Sequence, residues 1–326
     1  MNTHPYDSLT PDMVIDAVES VGYLSDVRLL ALNSYENRVY QVGIEDETPL
    51  IAKFYRPERW TRAQIMEEHQ FSLELQDAEI SVVAPLVDKS GTTLHDFGGF
   101  MFALFQRRGG YPPELDNLDN LFVLGRTLGR IHGVGRAAKF SERITISVER
   151  MLNEPSAYLL ENFIPDSLQA AYDSLTRDLK AQVSNIYQEV QPSDLIRVHG
   201  DCHVGNILWR DNCAHFVDLD DCAMAPAVQD IWMFLSGERH RRQLQLAEVV
   251  EGYSEFCDFD PRQLRWVEAL RTMRIVHYAA WLGRRWEDPA FPRSFTWFNT
   301  ERYWGEHILE LREQLAALQE EPLQLL

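Results

Sequence analysis

The chain has 326 residues, enough for two lobes that each bury a core of their own. With 31 Lys and Arg against 50 Asp and Glu, its net charge of −19 argues against non-specific binding to nucleic acid or to an anionic membrane. The opening Met1-Asn2-Thr3-His4-Pro5-Tyr6-Asp7 lacks the basic and apolar regions of a signal peptide, the apolar runs are too short to span a bilayer, and the four cysteines form no Cys-x-x-Cys pair, so a reducing cytoplasm is the expected location.

In chain order, Thr10-Pro11-Asp12 supplies an N-cap, a proline at the first helical position and an acid in the first turn. Val14, Val18 and Val21 then recur at helical spacing. Strands are expected at 27–32, 39–44 and 50–55, the second with Tyr40, Val42 and Ile44 on one face. The polar turn Asn33-Ser34-Tyr35-Glu36-Asn37 separates the first two. Thr61 can cap a helix running to about Leu75, and a further pair of strands is expected at 82–87 and 99–105. Gln106-Arg107-Arg108-Gly109-Gly110-Tyr111-Pro112-Pro113 then breaks any regular element, and the inter-lobe hinge is placed at its start. Residues 1–105 would form one lobe and 106–326 the other. Beyond the hinge, helices are expected at 121–132, 155–160, 167–190, 243–256, 262–286 and 303–318. A short hairpin, 206–210 with 215–218, interrupts them and turns near Asp211-Asn212. The order predicts an α+β protein with a small β-rich N-terminal lobe and a larger helical C-terminal lobe.

The most informative stretch is Val198-His199-Gly200-Asp201-Cys202-His203-Val204-Gly205-Asn206, followed by His215-Phe216-Val217-Asp218-Leu219-Asp220. Asp201 can accept a hydroxyl proton, while Asn206 and Asp218 can offer oxygens to Mg²⁺. The spacing from Asp201 to Asn206 is that of the protein-kinase catalytic loop, here introduced by His-Gly-Asp rather than His-Arg-Asp. Asp220 projects to the same face as Asp218 if the strand continues, as an alternative metal ligand or a supporting group. His199 and His203 invite a zinc reading, but the residue after His199 is Gly200 and not the glutamate of a helical His-Glu-x-x-His site. A brace for the loop suits His199 better. Cys202 reads as a buried, inert thiol, since a reactive one needs cationic neighbours.

Phosphoryl transfer also needs a cation on the phosphates and a cradle for them. Lys53, between Ala52 and Phe54, can project from one face of the third strand. Its partner should come from the next helix, where Glu68 shares a face with Ile65, Phe71 and Leu75 and Glu67 shares one with Gln70 and Glu74. An acid on the apolar stripe needs a cation, so Glu68 is chosen and Glu67 is the fallback. No glycine-rich phosphate loop occurs in the chain, which leaves 33–37, with backbone N–H groups and the Ser34 hydroxyl, as the cradle. An ordinary polar hairpin is the plainer reading of that turn. The backbone at Gln106 to Arg108 would meet adenine. Near the C-terminus, Tyr278, Trp281, Trp286, Phe291, Phe295, Trp297, Phe298, Tyr303 and Trp304 could box a cationic amine, but Arg284, Arg285 and Arg293 among them would repel it. Core packing and Arg stacking explain these rings better.

These residues resemble the aminoglycoside-phosphotransferase/choline-kinase branch of the protein-kinase-like fold, whose loop reads His-Gly-Asp-x4-Asn. The stretch Leu124-Gly125-Arg126-Thr127-Leu128-Gly129-Arg130-Ile131-His132 is similar to the helix before that loop. More narrowly, 32–40, 53–60, 199–203 and 288–292 resemble a group of bacterial stress-response kinases, so the likeness runs through most of the chain. The resemblance implies a cytoplasmic, monomeric Ser/Thr protein kinase that uses ATP and Mg²⁺ and protects stressed cells. It implies Ser34 as a nucleotide contact, Asp201 as base, and Asn206 and Asp218 as metal ligands. Asp218 is followed by Leu219-Asp220 rather than Phe-Gly, which departs from ordinary protein kinases. Two rivals stand beside this reading: a small-molecule kinase acting on an amino sugar, choline-like alcohol or homoserine, and a nucleotide-binding pseudokinase scaffold.

Overall fold

The protein is described by a computed structural model over residues 5–325; the first four residues and Leu326 lie outside the described residues. Helix α1 (Pro11–Ser20) starts where its sequence requires, with the Thr10 side chain accepting from the Met13 N–H and Pro11 in the first turn. Its buried Val14, Ala17 and Val18 pack on one face of a five-stranded antiparallel sheet of order β1-β2-β3-β5-β4. The strands are β1 (Ser25–Ala31), β2 (Arg38–Ile44), β3 (Leu50–Phe54), β4 (His95–Phe97) and β5 (Phe100–Gln106). Alternation along β3 sends Ala52 and Phe54 to the core under α1, leaving Lys53 for the other face. There lies α2 (Arg62–Asp77), begun by a reciprocal capping box between Thr61 and Gln64.

The strand expected at 82–87 does not form. Val82 bridges Phe216 of the other lobe, and Pro85 bridges Phe105 of β5, so the segment laces the two lobes together. A proline has no N–H for a ladder, which disfavours a regular strand at that point. Beside β3 on one edge, β5 pairs on the other with β4, joined to it by Gly98 and Gly99, both with positive φ.

The second lobe is mainly helical. It contains α3 (Leu118–Ala137), α4 (Glu154–Asn162), α5 (Asp166–Tyr187), then the strands β6 (Leu195–Val198), β7 (Ile207–Arg210), β8 (Cys213–Phe216) and β9 (Ala223–Pro226). The helices α6 (Val228–Ile231), α7 (Arg239–Ser254), α8 (Val267–Arg284), α9 (Ala290–Ser294) and α10 (Glu301–Ala317) complete it. Helices α3 and α7 approach until their backbones touch: a Cβ on Gly125 would lie 2.0 Å from the Val249 carbonyl oxygen. The large core of this lobe also takes in Phe71, Leu75, Ile80 and Val82, so the end of α2 is anchored below the cleft. No helix among the described residues is long and apolar enough to cross a membrane.

The antiparallel pair β6–β9, unforeseen from the sequence, is what positions the site. Val198 pairs with Ala223, so everything between them is one excursion from the end of a ladder. The loops carrying Asp201, Asn206 and Asp218 therefore leave and return at neighbouring points.

Candidate active site

The loop after β6 is shaped by buried hydrogen bonds to its backbone. Asp230, fully buried in α6, accepts from the N–H of His199 (2.8 Å) and of Gly200 (2.9 Å), and His132 of α3 binds the same carboxylate at 2.9 Å. The amide of Gln229 donates to the Gly200 carbonyl at 2.9 Å. Gly200 has φ +85°, and a Cβ there would lie 2.2 Å from the Asp221 carbonyl oxygen, so only glycine fits. The Nε2 of His199 pairs with the Val217 carbonyl at 2.9 Å, bracing the two motif segments against each other. Cys202 is buried, and burial first, then the nearby Asp230 and Asp201, push its thiol pKa well above the ordinary value. It is inert.

Asn206 lies in a single 3₁₀ turn, Val204–Asn206, rather than in the hairpin itself. Its side-chain N–H donates to the Asp201 carbonyl at 2.9 Å, and its own carbonyl accepts from the Val217 N–H at 3.0 Å. Strand β8 ends at Phe216, and Asp218 takes a left-handed conformation (φ 58°, ψ 64°) that begins a second 3₁₀ turn. The expectation that Asp218 and Asp220 share a strand face is thus corrected: the turn holds Asp218 half exposed and sends Asp220 into the interior.

Lys53 is buried among three carboxylates, with Asp218 at 2.9 Å, Asp220 at 3.1 Å and Glu68 at 3.7 Å from its Nζ. Burial alone would favour loss of its proton, but Asp218, then Asp220 and Glu68, outweigh that and hold its pKa well above the usual value. Glu68 is the most distant of the three anions sharing one ammonium. Burial accordingly raises its pKa to about 7 against the pull of Lys53. Asp220 also meets the Arg59 guanidinium and, at 3.2 Å, the Asn37 amide. Burial pushes the Asp220 carboxyl up, yet Arg59 and Lys53 together hold it below the ordinary carboxylate range. Glu67 points elsewhere: its carboxylate accepts from the backbone N–H groups of Ser141, Glu142 and Arg143 at 2.6–2.9 Å. It is an anchor for that loop rather than the solvated residue its helical face indicated.

The turn at 33–37 is fastened to the C-terminal lobe. The Glu36 carboxylate accepts from the Trp281 indole N–H at 2.5 Å and pairs with Arg285 at 2.5 Å. The Tyr35 ring packs 4.8 Å from that of Phe295. Behind the turn, Arg56 reaches Asp288 at 2.9 Å. Part of the C-terminal aromatic cluster is therefore a clasp on the turn, while Phe298 and Trp304 are core as expected.

One cavity of about 1080 Å³ unites these features. Ser34, Lys53, Glu68, Gln106, Arg108, Asp201, Asn206 and Asp218 all line it. Val39, Ile51, Phe105, Leu208 and Val217 give it an apolar end beside Gln106, suited to a planar base. At the other end Arg274 of α8 pairs with Asp201 at 2.5 Å, and His203 approaches its second oxygen at 3.4 Å. Burial is the largest influence on the Asp201 carboxyl and raises its pKa, but the His203 and Arg274 contacts prevail and hold it well below the ordinary range. Sequence reasoning overlooked Asp230, Arg59, Glu36 and Arg274. A signal existed for Asp230, an acid inside the apolar run 223–235 that must be buried and hence hydrogen-bonded. The other three pair across large sequence separations and leave no local trace.

Residues 28–267 match the phosphotransferase enzyme family. The chain belongs to that family. Within it, the protein is 47% identical over 321 residues to stress response kinase A of Escherichia coli (strain K12), covering 98% of this chain and 97% of that one. It is 43% identical over 325 residues to the serine/threonine protein kinase RdoA of Salmonella typhimurium, covering 99% and 98%. Among solved structures, amicoumacin kinase superposes with a TM-score of 0.76 at 18% identity, over 96% of this chain and 94% of that one. A microcompartment-associated aminopropanol kinase follows at 0.69 and 18%, over 94% and 96%. This phosphotransferase has the two-lobed, kinase-like α+β fold that its motifs implied.

Proposed function

We propose that the protein is an ATP- and Mg²⁺-dependent Ser/Thr protein kinase, with residues to about 105 clamping the nucleotide and the remainder supplying catalysis and the acceptor surface. The observation that carries this reading is the convergence of Lys53, Asp201, Asn206 and Asp218 on one cavity. The donors suit a hard cation. Asn206 uses its amide nitrogen on Asp201 and keeps its oxygen available, and the Asp218 carboxylate is half exposed. Mg²⁺ bound there would offset the charge of the phosphates. Lys53, held by Glu68, would grip them from the opposite side, with the turn at Ser34 as wall and the Gln106 to Arg108 backbone against adenine. Asp201 would orient a Ser or Thr hydroxyl and take its proton.

The name of the Salmonella relative supports a protein acceptor, and the full-length likeness to stress response kinase A supports a role in stressed cells; a cytoplasmic monomer is part of the same proposal. A small-molecule acceptor is the second reading, favoured by the structural neighbours named for amicoumacin and aminopropanol. A pseudokinase scaffold has no chemical use for both a base and metal ligands. The test is transfer of labelled phosphate from Mg·ATP to protein and to a panel of amino alcohols. Asp201→Asn should lower transfer by about 10²–10⁴ while nucleotide binding persists. Undiminished transfer would remove Asp201 from its role, and faster labelling of an amino alcohol would favour the second reading.

A further inference from the structure

Beyond Asp201 the cavity ends among guanidinium groups. Arg274, Arg284 and Arg285 come from α8 and its C-terminal boundary, and Arg150 from a π-helical turn, Glu149–Asn153, that runs into α4. Such turns are rare and frequent at functional sites, and this one sets Arg150 and Met151 on the cavity wall. Arg274 and Arg285 are occupied by Asp201 and Glu36. The other two have no carboxylate partner among the described residues: Arg150 donates its backbone N–H to Ser147, and the Arg284 guanidinium lies 5.3 Å over the Tyr158 ring. His277 of α8 lines the same end with its Nδ1 buried and unpartnered. Burial, then the charges of Arg284, Arg285, Arg150 and Arg274, lower its pKa to about 4, so it stays neutral and can offer a ligand a hydrogen bond without a charge of its own. Beside Asp201 and Glu36, the carboxylate of Glu154, the first residue of α4, lines the same cavity. In a chain of net charge −19, such a patch is not a by-product of basic composition.

A cationic amine placed here would meet like charge, whereas a carboxylate or phosphate would find planar, multidentate donors. Resting on the phosphotransferase reading above, we propose that the acceptor hydroxyl belongs to a molecule with its own anionic group, in the protein-kinase form a Ser or Thr flanked by acidic residues, held by Arg150, Arg284 and Arg274. Arg274 is a positioning residue in this arrangement. When it engages the acceptor's anion it leaves the Asp201 oxygen it now occupies, and that oxygen takes the hydroxyl proton. The acceptor oxygen then bonds to the γ-phosphorus as the bond to the β-phosphate oxygen breaks, and ADP carries off the electron pair.

The experiment uses the full-length protein with Mg·ATP and three peptides that share one serine and differ only in acidic, neutral or basic flanks, together with glycerate and ethanolamine. Acidic flanks should raise kcat/KM over basic ones by about tenfold or more, and glycerate should be preferred to ethanolamine. The double charge reversal Arg150→Glu/Arg284→Glu, at two exposed positions, should invert the acidic-to-basic ratio, with thermal melting confirming the fold. Anisotropy of the labelled peptides on the Asp201→Asn protein reads the same preference without turnover. Glycerate labelled ahead of every peptide would support the anionic acceptor and make it a small molecule. Equal or better use of basic peptides or ethanolamine, or a ratio untouched by charge reversal, would overturn the inference. A protein that neither binds ATP nor labels any acceptor would instead fail the underlying phosphotransferase reading.

Discussion

Lys53 is the residue on which most of the site's electrostatics turn. Its ammonium is shared by Asp218, Asp220 and Glu68, and the last is the least well compensated. Glu68 titrates near 7 against an ordinary 4.5, so its folded form keeps a proton that the unfolded chain has released. The stability from that proton is complete below about pH 4.5 and fades as pH rises through 7, on the order of 3 kcal/mol across the window. Denaturant midpoints at pH 5 and pH 8 should therefore diverge in the native protein and draw together in Glu68→Gln. A pH dependence unchanged by the substitution would show that the proton sits elsewhere. That Glu68 and not Glu67 faces Lys53 was legible, because helical spacing puts Glu68 with Ile65 and Phe71, both buried here. What Glu67 does was not, since its three partners lie on a distant loop that no periodicity announces.

Among the elements, the loop after β6 is held by its backbone rather than by its conspicuous side chains. Asp230 and Gln229 fix His199 and Gly200, and Gly200 passes so near the Asp221 carbonyl that no side chain fits. Gly200→Ala should cost about 1–3 kcal/mol through its positive φ and displace Asp201 from its place. The expected result is a lower melting temperature together with a loss of transfer larger than any loss of nucleotide affinity. Equal losses of both would mean that the cleft as a whole had been disturbed. The longer helices and the first three strands were readable from caps and periodicity, whereas the short α6 and α9, of four and five residues, were not. The β6–β9 ladder was not, because strands of four residues buried on both sides, such as Leu195–Val198, carry no alternation. The segment 82–87 misled for the converse reason, being apolar and β-branched yet shared between two lobes.

For the molecule as a whole, the decisive feature is the clasp between the two lobes. Glu36, Trp281 and Arg285 join on one side of the turn, Tyr35 and Phe295 on the other, and Arg56 and Asp288 behind it. Glu36→Gln leaves a largely buried guanidinium without its anion and should cost roughly 3 kcal/mol. Amide exchange at 33–37 should quicken well beyond that of β1 and β2; a uniform rise across the sheet would show that the clasp stabilises the lobe rather than the turn. None of this was visible from the sequence, because the aromatic cluster reads as core until its edge is seen to grip a loop about 250 positions earlier.

The missing glycines at 33–37 now have a consequence. Kinases with a supple phosphate flap give up its disorder each time a nucleotide lands. Here the indole of Trp281 and its neighbours fix that wall in the folded chain, so on the function proposed above a nucleotide would enter a chamber already shaped, and discrimination would fall to the arginine-lined end.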